Sequence, residues 1–406
     1  MSKKSVCVVG LGYIGLPTAA LLAANGYDVV GVDISPNVVA TINEGRIHIV
    51  EPLLDQFVQK AVSSSKLRAF GSPQPSDVYM VCVPTPFHEG PGIPRPNIDF
   101  VMAATRSIAA LLKPGDMVIL ESTSPVGTTE LLVNELVAAG VDTSSLSIAY
   151  CPERVLPGKI MIELVENDRI VGGVTPSSTA AVADFYRSFV RGEVMETDAR
   201  TAEMCKLTEN SFRDVNIAFA NELSIIADRD NIDVWRLIEL ANRHPRVSIL
   251  HPGAGVGGHC IAVDPWFIVS QNPEEAQLIH RARLVNDGKT KWVVAKIRET
   301  ALAFESKFGR KAVIGCLGLA FKPDIDDLRE SPAVSVANGL IEQGFAVVCV
   351  EPHIPSSTHF VLRDMESALA TCDIFAILVK HSLFVDEGIK IKASEKVVLD
   401  FCGALK

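Results

Sequence analysis

The sequence has few of the features that mark a secreted, metal-binding or nucleic-acid-binding protein. Its nine cysteines are an odd number without C-x-x-C spacing, which argues against a disulfide framework and against a zinc site. It has no run of Lys and Arg, and its formal net charge of −10 offers no general attraction for the phosphates of a nucleic acid. The apolar run near the first residues is too short for a signal sequence or a membrane span. We therefore expect a cytoplasmic small-molecule enzyme with no metal, no nucleic-acid partner and no membrane partner.

The chain is long enough for two or three domains, because its 406 residues exceed the size at which one hydrophobic core stops growing. From Val6 to Asp33, an apolar run, glycines, a helical pattern and a second apolar run indicate one βαβ unit. Further short apolar runs alternate with helical stretches. The runs are 78–83, 117–121 and 147–150, and the helical stretches include 101–112 and 128–139. This alternation predicts a parallel sheet with helices on both faces.

The same order of elements recurs near the C-terminal end. An apolar run at 312–317 and a helical pattern at 333–343 precede a second apolar run that ends at Glu351, in the position of Asp33. The loop GLAFKPDIDDLRESP replaces the glycine turn of the first copy, so we expect this copy to bind another ligand. Between the copies, residues 201–241 lack Pro and Gly and vary in hydrophobicity with a helical period. The sequence thus predicts an α/β fold with two Rossmann-like parallel-sheet domains joined by a central helical domain, over residues 1–198, 199–300 and 301–406.

A glycine-rich turn follows the first predicted strand. Gly10, Gly12 and Gly15 have the G-x-G-x-x-G spacing between a strand and a helix that the dinucleotide fingerprint requires. In that motif the first glycine permits a tight turn, the second admits the pyrophosphate, and the third lets helix and strand pack closely. Asp33 ends the second strand, where an acid accepts hydrogen bonds from the adenosine ribose and repels a 2′-phosphate. The segment therefore predicts NAD rather than NADP as the cofactor.

Two threonines also follow predicted strands. Thr85 in VPTP and Thr123 in ESTSP lie at the carboxyl ends of their strands, where ligands of open sheets bind. Both are candidate contacts to the cofactor or the substrate, although threonine close to proline is equally normal in ordinary loops.

Cys260 is the candidate nucleophile. It follows four glycines in GAGVGGHC, so the backbone there can approach a ligand and the thiol can lie in the open. Asp264 follows four residues later. A single cysteine is usually an inert part of the core, and it is the combination of glycines and acid that makes this one a candidate.

Two further segments offer polar groups for catalysis. Lys206 and Asn210 are four residues apart on one face of a predicted helix, and together an ammonium and a carboxamide can stabilise an oxyanion. Such a pair alone is more typical of a solvated helix surface. Glu153 in CPER follows another strand end and offers a carboxylate base, although an isolated loop glutamate usually belongs to the surface.

In their order along the chain, these segments resemble the UDP-glucose/GDP-mannose dehydrogenase family. The segments are GLGYIGLP, VPTP, ESTSPVG, CPER, EMCKLTENSFRDVNIAFANEL, GVGGHC and GLAFKPDIDDLRESP, and they span nearly the whole chain. The resemblance implies an N-terminal NAD domain, a central helix that forms a homodimer, and a C-terminal domain that binds the UDP moiety. It also implies that NAD oxidises a nucleotide-sugar alcohol twice, through a thioester on Cys260, to a uronic acid for surface polysaccharide precursors.

The resemblance also indicates which sugar is oxidised. Val263 stands where the glucose enzymes tend to carry a lysine, which argues against UDP-glucose and leaves any role of that lysine unfilled. The segment RHPRVSILHPGAGVGGHCIAVDPWFI resembles the members of the family that act on UDP-N-acetyl-D-mannosamine, which indicates this sugar nucleotide as the substrate.

Roles for individual residues follow from the same motifs. The resemblance implies that Cys260 is the nucleophile, that Lys206 and Asn210 hold the reacting oxygen, and that Asp264 orders a water or the lysine. It also implies that Glu153 helps thioester hydrolysis and that Thr123 supports the ordered water. The implied cofactor contacts are Gly10, Gly12, Tyr13, Ile14, Gly15, Asp33, Thr85, Thr123 and Arg329. The implied substrate contacts are Glu153, Arg154, Val155, Leu156, Lys206, Asn210, Arg246, Gly257, Phe321 and Lys322, with Arg246 reaching a substrate across the dimer.

Three alternatives remain open. The nearest one is the same chemistry on another UDP-sugar, such as UDP-N-acetylglucosamine or UDP-glucose, since the sequence does not distinguish the C2 epimers. A single-step dehydrogenase of small hydroxy acids shares the domain plan, but it would release one NADH and would not need Cys260. A nucleotide-binding scaffold or redox sensor would leave the presence of Cys260, Lys206 and Asp264 unexplained.

Overall fold

The computed structural model describes residues 4–88, 90, 92–258 and 260–406. The chain divides into two units, Met1–Thr208 and Glu209–Lys406. Within the described residues, no helix is both long enough and apolar enough to cross a membrane. The bounds of the three predicted domains stay a prediction.

Strands and helices alternate through the first unit. Its strands are β1 Ser5–Val9, β2 Asp28–Val32, β3 Leu67–Phe70, β4 Val78–Val81, β5 Phe87–His88, β6 Arg95–Pro96, β7 Met117–Leu120, β8 Ser147–Tyr150, β9 Arg169–Gly173 and β10 Val194–Asp198. Its helices are α1 Gly15–Ala24, α2 Pro36–Asn43, α3 Leu54–Ser63, α4 Asp99–Ala109, α5 Thr128–Ala138, α6 Ile160–Glu166 and α7 Pro176–Arg187, with a short 3₁₀ helix at Thr143–Ser145. Helix α8, Ala199–Arg229, begins in this unit and ends in the second.

Eight strands of the first unit form one sheet in the order β10-β9-β8-β7-β4-β1-β2-β3. Neighbouring strands are parallel, as the sequence predicts, except that β8 and β9 pair antiparallel through Ala149↔Gly173 and Tyr150↔Gly172. The apolar runs do not reveal this reversal because a buried strand has the same composition in either direction. Both faces are covered, since Val6 and Val8 pack into one hydrophobic cluster and Cys7 and Val9 into another. Burial on both faces explains why these strands are continuously apolar.

The second unit has a smaller sheet. Its elements are α9 Val234–Ala241, α10 Asp264–Gln271, α11 Gln277–Phe308, β11 Val313–Leu317, α12 Pro332–Glu342, β12 Ala346–Val350, α13 Met365–Thr371, β13 Ile374–Ile377, α14 Ser382–Asp386, α15 Gly388–Ala393 and β14 Val397–Asp400. The four strands are all parallel, in the order β12-β11-β13-β14. The predicted repetition of the opening βαβ order is confirmed here as β11-α12-β12.

The predicted helical stretch 201–241 consists of two helices, α8 and α9. The chain breaks between them at Asn231, which has a left-handed φ of 54°. Asp233 then caps α9, because its side chain accepts hydrogen bonds from the backbone N–H groups of Trp235 and Arg236. The lack of Pro and Gly in this stretch does not exclude a break, because asparagine and aspartate also support such turns.

Candidate active site

The glycine-rich turn after β1 has the geometry that the fingerprint predicts. Gly10 has a φ of 94°, and a Cβ there would lie 2.6 Å from the carbonyl oxygen of Cys82. A Cβ on Gly15 would overlap the carbonyl oxygen of Gly10. By contrast, a Cβ on Gly12 would meet no described atom within 4 Å. The first and third glycines are therefore required by the fold, whereas Gly12 leaves exposed backbone that a ligand can approach.

Helix α1 presents its N-terminus beside this turn. Ile14 makes no side-chain capping bond, and the first turn of α1 holds no acid. Gly12 and Tyr13 are exposed, so the positive end of the helix is open to an anionic group. A pyrophosphate fits here because these residues provide backbone donors and no competing carboxylate.

Asp33 is fixed at the end of β2. Its Oδ2 accepts the Leu11 backbone N–H at 3.1 Å, and its Oδ1 accepts the Ser35 N–H at 2.9 Å. The carboxylate is half-buried, and each oxygen keeps a lone pair that a ribose hydroxyl can use. These residues thus fit NAD, with Asp33 on the ribose and the N-terminus of α1 on the pyrophosphate.

The two threonine loops contact each other. Thr85 Oγ1 donates to the carbonyl oxygen of Thr123 at 2.6 Å. This bond joins the loops after β4 and β7, which are adjacent strands. Both threonines are half-buried, at the edge of the sheet where ligands of such folds bind.

Glu153 lies in a buried ion pair that the sequence did not predict. Arg169 Nη1 donates to Glu153 Oε2 at 2.7 Å, and both residues are buried. Arg169 Nη2 also donates to the Leu164 carbonyl oxygen at 3.1 Å, and Glu153 Oε1 accepts the Arg154 N–H at 2.7 Å. Arg169 therefore fixes the orientation of a buried carboxylate inside the protein.

A second buried carboxylate, Glu121, lies near this pair. Tyr186 Oη donates to Glu121 Oε1 at 2.6 Å, and the Cys82 thiol donates to Oε2 at 3.2 Å. Burial, followed by the negative charge of Glu153, raises the pKa of Glu121 from 4.5 to about 7. A charged residue at the head of ESTSP, directly after four apolar strand residues, was the one available sign of this site.

The stability of the protein should therefore depend on the ionisation of Glu121. Its pKa is raised in the folded state, so its contribution is complete below about pH 4.5 and is lost as the pH rises to about 7. Within that window the free energy of unfolding should fall by roughly 1 kcal/mol per pH unit from this group. Denaturant unfolding of wild type and Glu121→Gln from pH 4 to 8 measures this loss as a pH-dependent difference between them. A constant difference across the range would contradict the assignment.

Asn210 is held by Asp264. Its Nδ2 donates to Asp264 Oδ2 at 2.5 Å, and both side chains are buried. One amide hydrogen is used in this bond, so the other remains for a second acceptor. Lys206 lies four residues earlier on α8 and is half-buried. The arrangement fixes the orientation of Asn210, which a donor to an oxyanion needs.

Cys260 is exposed at the end of the glycine loop, just before α10. Its carbonyl oxygen accepts the N–H groups of Val263 at 3.0 Å and Asp264 at 2.8 Å. Asp264 thus contacts the Cys260 backbone through its own backbone and Asn210 through its side chain. His259, within the same motif, lies outside the described residues.

The glycines before Cys260 are needed for close packing. A Cβ on Gly258, whose φ is 85°, would lie 2.8 Å from the Phe321 ring, and one on Gly257 would overlap the Glu330 carbonyl oxygen. At the other end of the loop, the Gly253 N–H donates to Asn221 Oδ1 at 2.9 Å. The structure therefore brings together Gly257, Phe321 and the Cys260 loop, and their role as substrate contacts stays a prediction.

The remaining predicted contacts lie in loops. Lys322 is half-buried, whereas Arg246 and Arg329 are exposed. Arg329 pairs with Asp327, donating from Nη2 at 2.7 Å and from Nε at 2.9 Å. In the loop after β8, Arg154 Nη1 donates to the Asp168 carbonyl oxygen at 3.2 Å. Val155 is half-buried there, and Leu156 is exposed.

Glu351 explains why the second Rossmann-like copy differs from the first. Its Oε2 accepts the N–H groups of Leu319 and Ala320, and its Oε1 accepts the His353 N–H. The buried His381 ring lies 3.1 Å from Oε2 as well. Burial raises the pKa of Glu351, but the hydrogen bonds from His381 and Leu319 outweigh burial and lower it overall. With four protein partners, this carboxylate is less available to a ribose than Asp33 is.

Comparison with known proteins identifies the family. The family models for UDP-glucose/GDP-mannose dehydrogenases match residues 4–190 as the NAD binding domain, 200–288 as the central domain and 315–406 as the UDP binding domain. The chain therefore belongs to the UDP-glucose/GDP-mannose dehydrogenase family. It is an NAD-dependent oxidoreductase with an α/β fold of two Rossmann-like regions and a helical centre. The predicted fold class, cofactor and enzyme class are confirmed.

Individual relatives are similar over almost the whole chain. A UDP-N-acetyl-D-mannosamine dehydrogenase from Yersinia pestis is 54% identical, with 95% of each chain covered. An NDP-N-acetyl-D-galactosaminuronic acid dehydrogenase from Ralstonia nicotianae is 53% identical, covering 94% of this chain and 92% of the relative. A solved UDP-D-ManNAc dehydrogenase from Pyrococcus horikoshii is 37% identical with a TM-score of 0.89, covering 99% of this chain and 96% of the other.

Proposed function

We propose that the protein oxidises UDP-N-acetyl-D-mannosamine at C6 to UDP-N-acetyl-D-mannosaminuronate, a precursor for surface polysaccharide. The main support for this proposal is the position of Asp264. Its backbone N–H donates to the Cys260 carbonyl oxygen, and its side chain accepts a hydrogen bond from Asn210. A nucleophile and an oxyanion donor linked through one buried residue suit an enzyme that keeps an aldehyde covalently bound. The absence of a lysine at Val263 and the names of the relatives favour an N-acetylated sugar.

The chain's own residues supply binding and proton handling. Gly10, Gly12, Gly15 and Asp33 would hold NAD, which would supply the hydride acceptor for each oxidation of the sugar carbon. Lys206, directly or through a water, takes the proton of the C6 hydroxyl as the alcohol becomes an aldehyde. Asn210 donates the amide hydrogen that Asp264 leaves available to the same oxygen.

Cys260 prevents release of the aldehyde. Its thiolate adds to the aldehyde carbon to give a thiohemiacetal, whose oxyanion Lys206 and Asn210 stabilise. The second oxidation leaves a thioester on Cys260. Glu153 then activates a water, ordered by Thr123 and Asp264, which releases the acid and regenerates the thiol. Each Glu153 oxygen keeps a lone pair beside its Arg169 or Arg154 partner, so the carboxylate remains able to accept a proton.

The proposed substrate and cofactor contacts come from several loops. For the sugar nucleotide they include Glu153, Lys206 and Asn210, together with Arg154, Val155, Leu156, Gly257, Phe321, Lys322 and, across a dimer, Arg246. Arg329 reaches NAD, which requires it to exchange part of its pairing with Asp327 for the ligand. We place the reaction in the cytoplasm, because a nucleophilic thiol must stay reduced and cytosolic thiols do.

A panel of nucleotide sugars tests the substrate assignment. We expect kcat/KM for UDP-N-acetyl-D-mannosamine to exceed that for UDP-N-acetylglucosamine, UDP-N-acetylgalactosamine and UDP-glucose. The galactosamine sugar is included because one relative at 53% identity carries a galactosaminuronic acid name. A higher kcat/KM for any other sugar would show that this sugar, rather than N-acetyl-D-mannosamine, is the preferred substrate of the same reaction.

We further propose a homodimer formed through α8. Phe212, Phe219 and Ile226 are exposed on this helix at a spacing of seven residues, which places them along one stripe. Their exposed fractions are 68%, 56% and 42%, and three large apolar side chains so aligned mark a protein-binding surface.

Phe219→Asp should shift the protein from dimer to monomer, because it puts a charge at the centre of this apolar stripe. Sedimentation velocity at micromolar concentration gives the oligomeric state. Phe100→Asp, an exposed phenylalanine on α4, serves as the matched control and should leave the dimer intact. An unchanged dimer in Phe219→Asp, or a dimer lost equally in the control, would place the interface elsewhere.

A further inference from the structure

Residues 153–160, here called the substrate loop, are fixed by carboxylates that bind its backbone. Glu153 accepts the Arg154 N–H, and Glu163 Oε2 accepts the Leu156 N–H at 2.7 Å. These two anchors are local in sequence. The third, Glu51, lies 107 residues away from Gly158, in the segment between α2 and α3.

Glu51 holds the far end of the substrate loop with both carboxylate oxygens. Its Oε2 accepts the Gly158 N–H and its Oε1 accepts the Ile160 N–H, each at 2.8 Å. Glu51 is only 4% exposed. Gly158 has a φ of 91°, and Lys159 gives α6 no side-chain cap, so Glu51 satisfies donors that the loop itself leaves open. A buried carboxylate with two short backbone bonds is a strong and directional anchor.

The same segment also reaches the cofactor side of the unit. His48, three residues before Glu51, lies beside Asp33 and the Leu11 backbone, and burial, the largest effect, lowers its pKa. Leu53, two residues after Glu51, has a left-handed φ of 70°, which fixes the turn into α3. A short segment of defined geometry therefore extends from the neighbourhood of the NAD turn to the substrate loop.

We propose that Glu51 is a positioning residue that sets the geometry of the substrate loop and thereby the affinity for the sugar nucleotide and the placement of Glu153. The proposal rests on the function proposed above. Glu51 has no proposed contact with the reacting atoms and acts only through the loop backbone. Any effect of its replacement on sugar binding must therefore arise from the position of residues 153–160.

Glu51→Gln in the full-length protein with NAD tests the proposal. The amide keeps one acceptor oxygen but turns its NH₂ group toward a backbone N–H, so one of the two bonds is lost. We expect KM for the sugar nucleotide to rise at least about tenfold, the loss of one charge-assisted hydrogen bond. The Kd for NAD should stay within about twofold, and backbone N–H exchange should accelerate at 158 and 160. Glu51→Asp, which keeps the charge, should recover part of the affinity, and Glu130→Gln, an exposed carboxylate on α5, should match wild type.

Two results would overturn the proposal. One is faster exchange at 158 and 160 with an unchanged KM for the sugar nucleotide, and the other is an equal weakening of NAD and sugar binding with general loss of stability. If Glu51→Gln does not fold, the KM for the sugar nucleotide, the Kd for NAD and the backbone N–H exchange are compared between Glu51→Asp and wild type instead. If wild type oxidises no sugar in the panel, the proposed function fails independently. Faster backbone N–H exchange in Glu51→Gln, confined to residues 153–160, would then still support positioning by Glu51. Unchanged N–H exchange in that variant would refute it.

Discussion

Cys260→Ser is expected to abolish formation of the uronic acid, lowering kcat by at least about a thousandfold, as loss of a nucleophile typically does. A thiol forms its nucleophilic anion near neutral pH, whereas a serine hydroxyl does so only with a strong base beside it. The side chain is exposed and its loop is held by backbone bonds, so the substitution should not disturb the fold. NAD affinity should be retained, because the proposed cofactor contacts lie elsewhere in the chain.

Stopped-flow detection of NADH, with mass spectrometry of the protein and the product, measures this effect. Wild type should give the acid and a transient adduct on Cys260, and Cys260→Ser should give neither. Cys205→Ser, a half-buried thiol on α8 without an assigned role, is the control and should keep its activity. Wild-type turnover in Cys260→Ser would remove the thioester from the mechanism.

Arg169→Met should destabilise the first unit by about 3–5 kcal/mol, the usual consequence of breaking a buried ion pair from one side. The substitution leaves Glu153 buried without its partner, close to a second buried carboxyl at Glu121. The remaining bond to the Leu164 carbonyl oxygen is lost as well. Urea unfolding followed by circular dichroism gives the change in the free energy of unfolding.

An exposed pair provides the comparison for Arg169. Arg191 and Glu166 lie 2.9 Å apart with 77% and 51% of their side chains exposed, so Arg191→Met should cost less than about 1 kcal/mol. The double variant Arg169→Met/Glu153→Gln should recover part of the lost stability, because it removes the unpaired charge. Equal losses for Arg169→Met and Arg191→Met would show that the buried pair has no special energetic role.

Local sequence patterns were sufficient for much of the fold and for the cofactor turn. Gly10, Gly15 and Asp33 belong to one βαβ unit, so spacing alone relates them, and the structure gives each the expected conformation or partner. The second copy was visible for the same reason, since its strand also ends in an acid, Glu351. The sequence did not show that His381, thirty residues further on, lies beside that acid.

Contacts between distant segments account for what could not be predicted. In the sequence, Glu153 precedes α6 and Arg169 follows it, and Glu121 and Tyr186 are 65 residues apart, so no periodicity relates the members of either pair. Glu51 looks like an ordinary loop carboxylate in the sequence and is a buried anchor in the structure. Only the fold reveals such pairs, because their energies depend on burial and geometry rather than on neighbours in the chain.

The catalytic roles of Lys206, Asn210, Asp264, Glu153 and Cys260 stay a proposal. They all depend on one claim, that the enzyme oxidises the same carbon twice before it releases product. The most direct test is the ratio of NADH formed to sugar nucleotide consumed, measured to completion with UDP-N-acetyl-D-mannosamine and its C2 epimer side by side. We expect a ratio of two with the uronic acid as the only product. A ratio of one, with an aldehyde or ketone released, would contradict it.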